Sequence, residues 1–169
     1  MTVLITGANR GIGFAAAKIF ISRGYNVIIS GRNENKLVKA KEKLGKNAEY
    51  VVWDISDVSS SEKAIEKAHS LFGNINVFVN NAGIVCSDDN GPGQVDFFQK
   101  SEAGWDVTMD INLKGAFFAL QAEAKYMKNN NIKGNIVNIC SEMGFRPALF
   151  AYGISKWGVR AMTMGAGAY

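Results

Sequence analysis

The sequence predicts an α/β fold, a doubly wound parallel sheet with helices on both faces. Three observations carry that expectation. Short runs rich in Val and Ile alternate with longer segments of helical period, the pattern of strand, helix and strand in a parallel sheet. Each short run is nearly continuous in apolar character, as strands covered on both faces are. The first run passes directly into a glycine-rich turn and then a helical segment, which brings free backbone N–H groups to the end of a strand.

In chain order, the first strand is expected at residues 2–6. Its opening is apolar but has no charged leader and no long apolar stretch, so it reads as a strand and not as a signal peptide. A helix at 11–23 follows the glycines, a second strand at 25–30 carries Val27-Ile28-Ile29, and a helix at 33–44 follows it. The third strand is expected at 48–53, its helix at 59–72, and the fourth strand at 75–79. A long helical segment at 102–128, broken near Asp110, leads to a fifth strand at 135–140 and a last helix at 151–164. The irregular stretch between, 85–101, contains the turn-forming cluster Ser87-Asp88-Asp89-Asn90-Gly91-Pro92-Gly93 and is either a binding loop or a surface excursion.

Bulk properties narrow the function classes. The 169 residues fit one domain, 1–169, able to bury a core without disulfide or metal staples. With 47% hydrophobic and 20% charged residues, the composition is that of a soluble globular protein. The net charge of +4 comes from Lys and Arg interspersed with Asp and Glu, which lends little to a nucleic-acid role. Cys86 and Cys140 form no CxxC and have no histidines at ligand spacing, so neither a metal site nor a disulfide framework is expected, and a cytoplasmic location is. No apolar segment reaches the roughly 20 residues of a membrane-spanning helix, so no membrane partner is expected either.

The glycine turn reads Thr6-Gly7-Ala8-Asn9-Arg10-Gly11-Ile12-Gly13. Glycines at such a place let the backbone turn tightly and let a pyrophosphate approach the helix N-terminus, where the N–H groups and the helix dipole favour an anion. This makes the sheet Rossmann-type. The spacing is Gly-x-x-x-Gly-x-Gly, however, and not the Gly-x-Gly-x-x-Gly of the general dinucleotide fingerprint.

That spacing, with Asn80-Asn81-Ala82-Gly83, Asn112, Ser141 and Tyr152-x-x-x-Lys156 in the same order, resembles the short-chain dehydrogenase/reductase family over the whole chain. The resemblance implies a strand order of 3-2-1-4-5 and hydride transfer between a nicotinamide cofactor and a carbonyl or alcohol. It assigns catalysis to Asn112, Ser141, Tyr152 and Lys156. Tyr152 and Lys156 stand four apart in a helical segment and so share a face. A free phenol titrates near 10, and a nearby ammonium favours its phenolate. In the family this tyrosine passes the proton and the lysine also holds the nicotinamide ribose. Ser141, at the carboxyl end of the fifth strand, would hold the substrate oxygen. Its interval to Tyr152 is shorter than the family's usual one, which bears on the substrate-side wall. Asn112 matches the asparagine whose helix irregularity supports a water-mediated proton relay.

The same resemblance places the cofactor against Gly7, Asn9, Arg10, Gly11, Ile12, Gly13, Arg32, Asp54, Ile55, Asn80, Ala82 and Gly83, together with Tyr152 and Lys156. An acid at the end of the second strand would accept the ribose 2′-hydroxyl of NAD, whereas a base accommodates the extra phosphate of NADP. That strand ends Ile29-Ser30-Gly31-Arg32, and Arg10 lies in the glycine turn, so NADP(H) is the expected cofactor and NAD(H) the alternative. The leading function is therefore an NADP-dependent carbonyl reductase or alcohol dehydrogenase, its substrate a 3-oxoacyl thioester, a steroid, a sugar or a simple ketone, with 3-oxoacyl-carrier-protein reduction first. The alternative is a nucleotide-binding protein without turnover, or an inactive truncated member.

Other residues read as structural. His69, the only histidine, sits in a polar helical stretch and reads as surface. Trp53, Trp105 and Trp157 read as packing anchors. Residues 113–128 carry apolar side chains on more than one side, broader than a surface helix needs. In the family this helix and the Tyr-Lys helix meet a second subunit, so a homodimer or homotetramer is expected. Family members also continue with a further strand, a Pro-Gly segment and a substrate loop. C-terminal strands are therefore expected to be missing from the 169 residues, with the fifth strand left as an exposed edge.

Overall fold

The computed structural model describes residues 1–86 and 96–169; the turn-forming cluster 87–93 expected in the irregular stretch lies outside them. The elements run β1 (Thr2–Thr6), α1 (Gly11–Ser22), β2 (Asn26–Gly31), α2 (Glu34–Leu44), β3 (Ala48–Val52), α3 (Ser61–Phe72) and β4 (Ile75–Asn80). They continue with α4 (Glu102–Met109), α5 (Ala116–Asn129), β5 (Asn135–Asn138) and α6 (Ala151–Ala168). The five strands form one parallel sheet in the order β3-β2-β1-β4-β5, as the resemblance implies.

The sheet is the core, and the two-residue period of its strands sorts side chains to its two faces. Register pairs Val3 with Val27, Leu4 with Ile28 and Ile5 with Ile29. Leu4, Ile28 and Phe78 pack with Ile65 of α3 and Ala119 of α5, while Val3, Ile5, Val27 and Ile29 pack with Ala17 of α1 and Leu37 of α2. Phe78 is fully buried, and truncating a side chain so placed costs about 3–5 kcal/mol. Full cover on both faces holds for β1 but not for β5, where Val137 is 44% exposed. β5 is one edge strand, bonded only to β4 among the described strands, and β3 is the other.

Boundaries shift for local reasons. Asn33 stands outside α2 as its cap, its side chain accepting the Lys36 N–H at 3.0 Å. The expected break near Asp110 is a π-helical turn, Asp110–Gly115, joining α4 to α5. Gly115 explains why the chain tolerates it there: a Cβ would overlap the Ile55 carbonyl and lie 2.9 Å from that of Asp110. The last helix runs to Ala168, four residues further than its periodicity predicts.

Two expectations are corrected. His69 is not on the surface; it is 5% exposed, on the face of α3 that also carries Ala64, Ile65 and Ala68. Its Nε2 lies 3.1 Å from Oε1 of the fully buried Glu123 on α5, its Nδ1 accepts the Ile75 N–H at 3.3 Å, and its ring stacks on Tyr126 with centroids 3.9 Å apart. A histidine is carried into the core because each ring nitrogen finds a partner there. Of the three tryptophans only Trp53 is buried, at 4% exposed, whereas Trp105 and Trp157 are 42% and 41% exposed.

Candidate functional site

The carboxyl ends of β1, β2 and β4 open into a cleft of about 510 Å³, on the side where parallel sheets bind ligands. β1 ends in Thr6, whose hydroxyl accepts the Asn81 and Ala82 N–H groups, both at 2.9 Å, and ties the first turn to the end of β4. The chain then reverses at Gly7, with φ +66°, where a Cβ would sit 2.9 Å from the Ala82 backbone. Only glycine combines that dihedral with that approach. Arg10 occupies the cap position of α1 without a side-chain cap bond. The first N–H groups of the helix therefore have no side-chain acceptor there, as suits a pyrophosphate.

The cleft sorts the expected cofactor residues. Gly7, Asn9, Arg10, Gly11 and Ile12 form its floor at the glycine turn. Arg32, Asp54 and Ile55 close one end, and Ala82, Gly83, Tyr152 and Lys156 line the other wall. Asp54 is oriented by Ser56, whose N–H and hydroxyl donate to it at 3.1 and 2.7 Å. Two expected residues stand behind the wall. Gly13 is buried on Ala8 and Asn81, and Asn80 donates to the Ala116 and Asn138 oxygens at 2.8 and 3.0 Å, joining β4 to α5 and β5.

Tyr152 and Lys156 occupy one face of α6. Lys156 is 5% exposed, its Nζ donates to the Ile139 carbonyl at 2.9 Å and lies 5.7 Å from the centre of the Tyr152 ring. Burial pushes this ammonium below the ordinary lysine range, and the nearby Cys140 thiol opposes the shift in part. A phenol and a buried ammonium so arranged can hand a proton to an oxygen in the cleft and retain the charge afterwards.

Asn112 does not face the cleft. It is 1% exposed in the π turn, and its side chain is spent on the Ile84 backbone and on Ser155. Any relay through this residue must therefore use its main chain. Ser141 also lies outside the cleft wall; it caps the 3-10 turn Glu142–Phe145, its hydroxyl accepting the Met143 N–H at 3.2 Å. The short interval between Ser141 and Tyr152 is held on the outer side of α6. Trp157 Nε1 donates to the Arg146 carbonyl at 2.7 Å, and the Arg160 guanidinium lies 4.3 Å from the Phe145 ring centre.

The sequence reading missed Lys36, which lines the cleft with Arg32, and Ser155, fully buried, which accepts from Asn112 at 3.3 Å and donates to the Tyr152 carbonyl at 2.7 Å. Ser155 was findable as the residue inside Tyr152-x-x-x-Lys156 that turns toward the core. Among the described residues no group of three His, Cys, Asp or Glu side chains could hold a metal, and no helix is long and apolar enough to cross a membrane.

The profile of the short chain dehydrogenase family matches residues 1–168. The chain is 37% identical over 166 residues to a 3-oxoacyl-acyl-carrier-protein reductase of Thermotoga maritima, covering 95% of this chain and 64% of that one. It is 34% identical over 167 residues to an NADP-dependent (R)-specific alcohol dehydrogenase of Lentilactobacillus kefiri, covering 96% and 64%. Its fold is similar to a crystal structure of an actinorhodin polyketide ketoreductase variant with NADPH, with TM-score 0.85 and 29% identity over 99% of this chain and 64% of that one. The chain thus spans about two thirds of the length of the relatives it matches.

Proposed function

This chain belongs to the short chain dehydrogenase family, and from that premise we propose that it transfers a hydride between NADP(H) and a carbonyl or alcohol substrate. The observation that carries the reading is the placing of Tyr152 and the buried Lys156 on one face of α6, in the cleft that the glycine turn of β1 and α1 opens.

When bound, the nicotinamide supplies or takes the hydride. In the reducing direction Tyr152 donates its phenolic proton to the substrate oxygen as the carbonyl carbon is reduced, and Lys156 stabilises the phenolate left behind. Ser141 stands just outside the cleft wall and would hold the same oxygen only of a substrate that extends past Tyr152; its own oxygen is the acceptor for Met143, which leaves its O–H to donate. Asn112 is a positioning residue, clamping Ile84 at the cleft wall beside Lys156. NADP(H) is favoured over NAD(H) by Arg10 and Arg32 at the ribose end and by the lack of an acid at the end of β2. The NADP-dependent relative and the NADPH-carrying neighbour are compatible with that choice. The 3-oxoacyl thioesters are the first substrate class, in line with the Thermotoga relative's printed activity. The working protein is a homodimer or homotetramer in the cytoplasm, with α5 and α6 at the subunit contact.

NADPH oxidation with a panel of ketones and 3-oxoacyl thioesters, beside fluorescence titrations of NADPH and NADH, tests the reading. Turnover with one substrate class and tighter NADPH binding are expected. Binding of neither cofactor would overturn it, and binding without turnover on any panel member would favour a nucleotide-binding role.

A further inference from the structure

The ribose end of the cleft carries three cations, Arg10, Arg32 and Lys36, and none of them forms an ion pair with a described residue. A carboxylate stands close by in the chain: Glu34, the first residue of α2, flanked by Arg32 and Lys36 at two residues' distance on either side. Residues two apart on a helix do not share a face, and Lys36 takes the face toward the cleft. Glu34 is not part of the cleft wall. Its Oε1 accepts the Tyr50 hydroxyl at 3.1 Å, on the β3 side of α2.

Tyr50 is a well-anchored donor. Its ring packs against the buried cluster that contains Leu37 and Ile29, and it pairs in register with Ile29 of β2. At the β3 edge Lys41 bonds both oxygens of Glu49 at 2.7 Å and lies 6.0 Å from the Tyr50 ring centre. The two carboxylates near the β3 edge, Glu34 and Glu49, thus each have a partner away from the cleft. The bond to Glu34 also pushes the Tyr50 phenol above its ordinary range, and a phenol is protonated, hence a donor, at neutral pH in either case.

We propose that Tyr50 is a positioning residue for cofactor selection, holding Glu34 against β3 so that Arg10, Arg32 and Lys36 are left to a ribose 2′-phosphate. The inference rests on the NADP reading above and adds to it a residue outside the cleft and a third phosphate cation. Without the Tyr50 hydroxyl, the Glu34 carboxylate loses its only described partner and sits at the N-terminal turn of α2. There it can pair with the guanidinium of Arg32, which lies two residues before it and outside the helix, and repel a phosphate at the same end of the cleft. The effect falls on ligands that carry the 2′-phosphate and spares those that do not.

The test is equilibrium binding, with NADPH against NADH by fluorescence and adenosine 2′,5′-bisphosphate against 5′-AMP by calorimetry, none of which needs turnover. Tyr50→Phe keeps the packed ring, and its far-UV circular dichroism is expected to match the parent's. Its NADPH-to-NADH affinity ratio is expected to fall on the order of three- to fivefold, the size of one exposed charge pair, and the bisphosphate ratio with it. Glu34→Gln added to Tyr50→Phe is expected to restore both ratios, and Lys36→Gln alone to lower both. Unchanged ratios in Tyr50→Phe, or a double variant that stays low, would overturn the proposal while leaving the NADP reading standing. A parent that binds NADPH no better than NADH would overturn the NADP reading itself, and this proposal with it.

Discussion

Asn112 and Ile84 exchange two hydrogen bonds: the Ile84 N–H donates to Asn112 Oδ1 at 2.8 Å, and Asn112 Nδ2 donates to the Ile84 carbonyl at 2.8 Å. A side-chain amide here closes the backbone of the segment that leaves β4, and the π turn is what aims it there. Asn112→Ala leaves a part-buried N–H and C=O without partners, so a loss of about 1–3 kcal/mol in urea unfolding is expected. Because Gly83 lies beside both Asn112 and Lys156, a fall in turnover beyond that stability loss is expected as well. A variant as stable and as active as the parent would remove Asn112 from the positioning role.

Tyr152→Phe removes the transferable proton and keeps the ring under Lys156. Turnover is expected to fall by at least about 100-fold, the lower end of what a positioned acid or base contributes, with cofactor affinity changed little. Single-turnover NADPH oxidation beside a binding titration checks both halves. Comparable rates for variant and parent would assign the proton step elsewhere.

The fold was legible because each element announced itself locally. The apolar runs of β1 to β4 are covered by helices, and the turn at Gly7 needs a glycine on dihedral and contact grounds alike. The break near Asp110 was visible as a lapse in period, but its π character depends on Gly115 meeting Ile55, 60 residues away in the chain. His69 shows the limit. Its neighbours Glu66, Lys67 and Ser70 are polar, and the partner that makes burial tolerable, Glu123, stands 54 residues off. Lys36 was passed over for a similar reason: an exposed lysine in a basic helix has no local mark that separates cleft from surface.

Lys156 makes stability depend on pH with a definite sign. Burial holds its folded pKa below the unfolded value near 10.4. Between the two values the unfolded chain binds more protons than the folded one, so stability rises with pH across that window. The buried charge costs its full amount below the folded pKa and nothing above the unfolded one. Lys156→Met has no such group, so parent stability relative to this variant is expected to rise as pH goes from 7 toward about 10. Urea unfolding of both proteins across that range checks it, made in a Tyr152→Phe background so that the titrations remaining outside Lys156 cancel in the difference. A flat or falling difference would mean that the ammonium is not held in a poorly solvated site.

Phe117 on α5 and Trp157 on α6 are 43% and 41% exposed, although Ala116, Ala119 and Leu120 of the same α5 are buried. The apolar breadth of α5 is thus only partly consumed by the core, and these two side chains are where the proposed subunit contact would form. A dimeric or tetrameric mass by light scattering at micromolar concentration is expected, reduced by Phe117→Glu. A monomeric parent would count against the assembly reading without touching the hydride-transfer reading.

The pair His69 and Glu123 yields the sharpest stability prediction, because both side chains are buried and they hold α3 to α5. The Ile75 N–H donates to Nδ1, so the ring proton sits on Nε2 and points at Glu123 Oε1. Glu123 Oε2 has no hydrogen-bond partner among the described residues, so Oε1 carries the compensation they give this carboxyl for leaving water. Removing one partner of a buried hydrogen bond strands the other, at about 1–3 kcal/mol and more where the stranded group is charged. His69→Ala is expected to cost about that much in urea unfolding, since it also removes the ring stacked on Tyr126. Replacing both partners with Leu removes the stranded group, and well-packed apolar replacements of buried pairs are often neutral or stabilising. The double variant His69→Leu with Glu123→Leu is therefore expected to be more stable than His69→Ala. It still loses the acceptor for Ile75 N–H, which limits the recovery to part of the cost. If the double variant were instead as unstable as His69→Ala, the contribution of His69 would lie in its packing and its bond to Ile75 and not in its pairing with Glu123.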